Sequence, residues 1–309
     1  MKKHKICKIL LVILAIFLCV AFYELLGICV AYKKQPEVSN TTKKETKNGS
    51  WNECSENTER AVIIEKNPEA LLQRVRLIKN AKKEIILSTF AFQSDESGKL
   101  ILGALHDAAD RGVHIRLLVD GMESWIDMEG NPYFYGLSSH ENVEIKLYNK
   151  ANPLKPWKMM GRMHDKYLIA DGKRYILGGR NTYNYFLGDF PGHKNYDRDV
   201  LVVCDEPEKE NSVNQLSEYF ETIWDQEDSG YFHNNKKLAN RKSVKNAVLE
   251  LQNGYQKYFE ENKERICDTD YTDETFETEK IALVSNPIHT GSKEPVVWYQ
   301  LGELMKNAK

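Results

Sequence analysis

The 309-residue sequence has no Cys-x-x-Cys pair. Its six cysteines are Cys7, Cys19, Cys29, Cys54, Cys204 and Cys267. The first three lie in one apolar run and the rest are scattered, which argues against a zinc ribbon or a disulfide scaffold. Net charge is also scarce: 43 Lys and Arg oppose 45 Asp and Glu, leaving −2. That excludes a globally basic surface for nucleic acid but not a local patch. Hydrophobic residues at 41% and charged residues at 28% sit near the globular average, so wholesale disorder, collagen and coiled coil are excluded. The length suffices for one large domain or two smaller ones with a buried core.

One segment departs from this average. Residues 1–8 carry Lys2, Lys3, Lys5 and Lys8, and residues 9–32 are apolar except for Glu24. As a helix rising ~1.5 Å per residue, that run exceeds the ~30 Å hydrocarbon layer. A cleaved leader is the rival reading. No small-x-small cleavage site follows, and Ile28 before Cys29 fits a lipoprotein box poorly. An uncleaved single-pass membrane anchor is therefore expected, with an inside N-terminus and an extracytoplasmic body. Residues 33–55, rich in Lys, Thr, Asn, Ser and Glu, read as a solvated flexible tether.

Residues 56–228 alternate helix-like and strand-like patterns. Asn67-Pro68 suits a helix start, with Asn67 as cap. Leu71, Val75 and Ile78 follow at helical spacing. Strands are expected at 84–92, 113–119, 143–148 and 200–204, with a hairpin turning at Asp171-Gly172. Helices are expected at 97–111 and 212–224. This order predicts an α/β fold, a layered and largely parallel sheet flanked by helices. Residues 229–278 turn polar and helical and read as a connecting segment. Residues 279–309 echo the start of the domain: Asn286-Pro287 leads to Leu304-Met305-Lys306-Asn307-Ala308-Lys309, as Asn67-Pro68 leads to Leu77-Ile78-Lys79-Asn80-Ala81-Lys82. With a strand expected at 281–284, the echo predicts a second lobe beginning at 279 and cut off at 309.

The chemistry concentrates in Arg162-Met163-His164-Asp165-Lys166, continuing to Asp171 and Gly178-Gly179-Arg180-Asn181. His164 and Lys166 are two apart, so on a strand they share a face. An imidazole beside an ammonium suits an anionic phosphate: the lysine neutralises charge while the neutral ring attacks phosphorus. Asp171, at the turn, reads as bracing the strand. Gly178 and Gly179 permit close backbone approach, and Asn181 offers an amide donor. Either Asp197 or Asp199 could accept the other ring N–H of His164 and fix its tautomer. His-x-Lys-x4-Asp alone arises by chance in roughly 4% of sequences of this composition, and Gly-Gly-x-Asn seven residues on lowers that about a thousandfold.

These residues resemble the HKD signature of the phospholipase D superfamily. Gly-Gly-Arg-Asn followed by Tyr183-Asn184-Tyr185-Phe186 and Tyr196-Asp197-Arg198-Asp199-Val200 is similar to bacterial cardiolipin synthases, as are residues 109–121 and Phe220-Glu221-Thr222-Ile223-Trp224. The resemblance implies two α/β lobes with one motif each and a site between them. One histidine becomes a phosphohistidine, the other protonates the leaving alcohol, and no metal or cofactor takes part. It carries over His164, Lys166, Asp171 and Asp197 as catalytic, with Asp197 preferred to Asp199 on that ground alone, and Gly179, Arg180 and Asn181 as substrate-binding. This chain departs from the pattern in holding a single His-x-Lys. The second motif is expected from a missing C-terminal half or from a homodimer.

Substrate is suggested by residues 150–163, where Lys150, Lys155, Lys158 and Arg162 mix with Leu154, Trp157, Met159 and Met160. Cations among apolar groups suit an anionic headgroup at the edge of acyl chains. A phosphatidyltransferase acting on phosphatidylglycerol-type lipids is the expected function. A homodimeric phosphodiesterase or nuclease, and a non-catalytic phosphate- or lipid-binding protein, are the alternatives.

Overall fold

The computed structural model describes residues 2–31, 33, 36–49, 59–204, 206, 211–279 and 281–307. They fall into two compact units. One comprises Met1–Asn48, Ala151–Arg162 and Val284–Lys309; the other comprises Gly49–Lys150 and Met163–Leu283.

In the first unit, helix α1 spans Lys2–Ala31. Its stretch Lys5–Ala31 has a mean hydropathy of 2.9, and its large apolar side chains are exposed. Every interior backbone group is bonded within the helix, as a lipid environment requires. Near its end, the Tyr23 hydroxyl donates to the Leu154 carbonyl at 2.9 Å, and a Cβ at Gly27 would meet Pro156 Cγ at 2.4 Å. The expected tether is partly structured. Asn40–Asn48 forms helix α2, tied down where Thr42 Oγ1 donates to Glu294 Oε1 at 2.7 Å. Residues 34, 35 and 50–55 of the tether, Cys54 included, lie outside the described residues.

The second unit starts with β1 (Glu59–Ile64), α3 (Asn67–Asn80), β2 (Glu84–Thr89), α4 (Glu96–Asp110) and β3 (His114–Asp120). Two short helices follow, α5 (Gly121–Asp127) and α6 (Pro132–Ser138), then β4 (Val143–Tyr148). The hairpin β5 (Tyr167–Ala170) and β6 (Arg174–Gly178) leads to β7 (Asp199–Cys204), α7 (Ser212–Trp224) and β8 (Ser229–Tyr231). Then come α8 (Lys242–Glu261), α9 (Lys263–Cys267) and β9 (Phe276–Glu277). The strands make one sheet in the order β8-β4-β3-β2-β5-β6-β7-β1-β9. Only β2-β3 and β3-β4 pair in parallel; β2-β5, β5-β6, β6-β7 and β1-β7 are antiparallel. The sheet is therefore mixed, less parallel than the pattern suggested, because the β5-β6 hairpin enters beside β2.

Strand alternation divides the core. Ile115, Leu117 and Val119 of β3 join the large cluster with α3 and α4. Arg116, on the opposite face, meets α7: its guanidinium lies 4.9 Å from the Phe220 ring centre and 2.7 Å from Glu221. The sheet is thus covered on both sides, as α/β layering requires.

Three expectations need correction. Asn67 does not cap α3. It is the first residue of the helix, its amide nitrogen donating to the Asn195 carbonyl while its oxygen accepts from Arg180 Nε. Residues 229–278 are no mere connection: β8 and β9 extend the sheet. Helix α8 buries Val244, Ala247, Leu251, Tyr255 and Phe259, a stripe at helical spacing diluted by its polar face. Residues 281–284 pair with no described strand. Asn286-Pro287 opens no helix either; α10 (Val296–Asn307) starts only after Pro295. The echo of the first lobe is thus limited to the helix-like Lys/Asn end, whose Ala308 and Lys309 lie outside the described residues.

Candidate active site

His164 and Lys166 sit not on β5 but in the extended segment just before it. The ladder continues to Lys166, whose carbonyl accepts from Gly178 N at 3.1 Å. One step back, the Met163 N–H donates at 3.1 Å to Oδ2 of Asp120, a fully buried residue whose other oxygen caps α5 through Met122 N at 3.0 Å. His164 is therefore bracketed by two backbone anchors while its own side chain stays exposed.

The two charged-site side chains gather on one ring. The Phe90 centroid lies 4.6 Å from the His164 imidazole, edge to face, and 5.3 Å from Lys166 Nζ. A ring offers its negative face to a cation and its edge or face to an imidazole, so Phe90 collects the pair without neutralising either. Lys166 Nζ also donates to the His164 carbonyl at 2.6 Å. Lys166 is 6% exposed, and burial pulls its ammonium down to about 8, against the charges of Asp165 and Asp197, which hold it up. Asp165 accepts from the Tyr219 hydroxyl at 2.8 Å, and Tyr219 is pushed far above its usual range by burial and then by that charge.

A pH dependence follows. Above about 8 the folded chain holds no proton on Lys166, whereas the unfolded lysine keeps its proton to about 10.4. Stability therefore rises with pH across that window, while attraction for an anion falls. Affinity for inorganic phosphate, measured from pH 7 to 10, should drop about tenfold per unit above 8. Lys166→Arg should flatten that fall; a wild-type affinity level through pH 10 would contradict the assignment.

The glycines serve the protein's own carboxylates. A Cβ on Gly179 would lie 2.0 Å from Asp197 Oδ2, and one on Gly178 would lie 2.0 Å from Asp199 Oδ1. The close approach expected of a phosphate is thus occupied by aspartates. Gly179→Ala should displace the Asp197 carboxylate and destabilise the fold by about 1–3 kcal/mol, read as a lowered melting midpoint.

The two aspartates have separate surroundings. Asp199 is buried, 2.9 Å from Arg74 and 3.2 Å from Arg180. Asp197 is half-buried beside Gly179 and accepts from the Arg198 N–H at 2.7 Å. Of the expected substrate groups, Arg180 points into the core, donating to the carbonyls of Ile64 and Glu65. Asn181 is also turned inward, its oxygen accepting from Ala91 N at 3.2 Å. Asp171, at φ +55°, accepts from the backbone of Lys82, Lys83 and Glu84 and so pins the start of β2 to the hairpin. Sequence reasoning missed Phe90 and Asp120. Asp120 lay within the 109–121 stretch of the resemblance without a role of its own, and Phe90 had only its position. Asp120 ends β3 and Phe90 directly follows β2, the C-terminal ends of parallel strands, where sites collect in α/β sheets.

Residues 74–224 match the family model described as cardiolipin synthase, PLD-like domain. An uncharacterized protein of Helicobacter pylori strain J99 is 30% identical over 212 residues, covering 64% of this chain and 39% of its own. Cardiolipin synthase C of Escherichia coli K12 is 29% identical over 171 residues, covering 51% of this chain and 34% of its own. The chain thus spans between a third and two fifths of the length of these relatives. Among solved structures, phosphatidylserine synthase of Haemophilus influenzae Rd KW20 aligns with a TM-score of 0.48 and 16% identity, over 71% of this chain and 48% of that one. The segment that carries His164, Lys166 and the Gly178–Asn181 loop is thus similar to the PLD-like domain of the cardiolipin synthases.

Proposed function

We propose that this chain is a membrane-anchored phosphatidyltransferase acting on phosphatidylglycerol-type lipids, with His164 as nucleophile. The observation that carries the reading is an exposed imidazole and a buried ammonium collected on the Phe90 ring. A phosphodiester meeting that pair has its charge offset by Lys166 while the ring nitrogen attacks phosphorus. The bond to the departing alkoxide breaks, and the alkoxide takes a proton from an acid. An incoming alcohol then gives its proton to the base left by that acid as its oxygen displaces the imidazole, which restores both the acid and His164. Asp197, whose charge reaches Lys166, is assigned to hold the second ring nitrogen. Asp171, Arg180 and Asn181 act indirectly, by fixing β2, the core ion cluster and the loop.

The acid comes from a second motif, carried by further chain or by a second copy, because one histidine cannot serve as nucleophile and acid in the same step. A lipid substrate fits the first unit, where α1 is long and apolar enough to cross a bilayer. The segment packed near its end exposes Leu154 and Met160 alongside Lys155, with Lys158 half-buried, an arrangement suited to the headgroup layer. On this reading the sheet-bearing body is extracytoplasmic.

The test uses the full chain in phosphatidylglycerol vesicles, following cardiolipin and glycerol release, with single-stranded DNA assayed in parallel. Cardiolipin formation supports the proposal. Nucleotide release with no lipid product would replace it with the nuclease reading, and neither product, with phosphate still bound, would leave a binding protein.

A further inference from the structure

A second site stands on the helical side of the sheet, made by residues that the proposed chemistry does not use. A cavity of about 640 Å³ opens between α4, α6 and α8, within the size range of small-molecule pockets. Its apolar wall includes Val244, Val248 and Leu249 of α8. Facing it is a histidine pair on one carboxylate. His106 Nδ1 lies 3.1 Å from Asp110 Oδ2, and His140 Nε2 lies 3.2 Å from Asp110 Oδ1. His140 is fully engaged, since its Nδ1 accepts from Asn142 N at 3.1 Å.

His106 is not. Its residue is 8% exposed and lines the cavity, its Nδ1 faces Asp110, and its ring edge meets His140 at 5.4 Å between centroids. That leaves Nε2 without a described hydrogen-bond partner, and it is not among the atoms sealed from solvent without one. Nε2 can accept the hydroxyl of a protonated acid or, once protonated itself, donate to the anion. At the mouth stand Lys236 and Lys245. Neither has a described carboxylate within salt-bridge distance, and Glu141 is the acid on the same lining. Two unpaired ammoniums, an imidazole nitrogen and an apolar wall select a negatively charged head on a short apolar body.

We propose that this cavity binds a small amphiphilic anion, a carboxylate or phosphate monoester with an alkyl chain, its head between His106 Nε2 and the two lysines and its tail along Val244, Val248 and Leu249. The site is independent of His164. Its head-group chemistry could come from a free fatty acid or from a phosphorylated lipid fragment, and the two probes below tell these apart.

Octyl phosphate and octanoate would be titrated by calorimetry into the full chain in nanodiscs, with octanol and octyltrimethylammonium as controls. Saturable uptake of at least one anion, weakened tenfold or more by Lys236→Glu with Lys245→Glu and by His106→Gln, supports the site. The tighter probe names the head group. The lysine changes lie on the exposed surface, so they test charge without disturbing the core. Uptake that never saturates, or that is equal in wild type and the charge-reversed variant, or that favours the cation, overturns it. His164→Ala should bind both anions as wild type does, which separates failure of this site from failure of the transferase reading.

Discussion

His164→Ala is expected to lower lipid turnover at least a thousandfold while leaving the melting midpoint unmoved. Removing a covalent nucleophile typically leaves only the rate that binding and electrostatics supply, several orders of magnitude down. The fold should not notice, because the side chain is exposed. What positions it is backbone: Met163 N–H on Asp120 and the Lys166 carbonyl on Gly178 N. The paired measurement is cardiolipin release and thermal denaturation on the same preparation. Turnover retained within tenfold would remove the nucleophile assignment, and a midpoint shifted by several degrees would mean that the imidazole holds structure instead.

Asp199→Ala should do the reverse, costing about 3–5 kcal/mol of stability and giving little folded protein. The carboxylate has 0% side-chain exposure and sits between Arg74 and Arg180, whose side chains are 5% and 0% exposed. Deleting it leaves two like charges buried together. Burial already draws the Arg180 guanidinium below its usual range despite the Asp199 charge, so the pair depends on that acid. Denaturant titration reads the loss directly. Asp199→Ala combined with Arg74→Met and Arg180→Met should recover part of it, because apolar replacement of a whole buried ion cluster is often tolerated.

The contrast between Asp197 and Asp199 marks how far the sequence could be read. Both are acids at a strand entrance, and nothing in their spacing separates a half-buried residue beside Gly179 from one sealed between two arginines. Their difference comes from Arg74 on α3, far away in the chain. The elements whose signal is local were legible: α4 with its apolar stripe, the β5-β6 hairpin at Asp171-Gly172, and α7. His164 and Lys166 both meet the Phe90 ring, from a segment just before a strand and not on one.

What was not legible depended on distant partners. Helix α8 reads as polar until its five-residue stripe meets α4 and α6. Asn67 looks like a cap until Arg180 and Asn195 take both ends of its amide. The strand expected at 281–284 has the right composition but pairs with no described strand; the Leu283 N–H donates instead to Gln215 Oε1 on α7. Phe90 carried no motif at all, and its part in gathering the site depends on a hairpin that the chain makes later.

The position of β1 has a consequence for biogenesis. Its neighbours are β7 and β9, with Glu59 opposite Cys204, so it leaves the ribosome long before either partner exists. At ~5–20 residues per second, the gap is roughly ten seconds. Throughout it the nascent Ala61–Ile64 stretch is an unpaired apolar ribbon just downstream of a hydrophobic helix that a translocon would engage first. A chaperone dwelling on that ribbon during synthesis would shield it until β7 emerges.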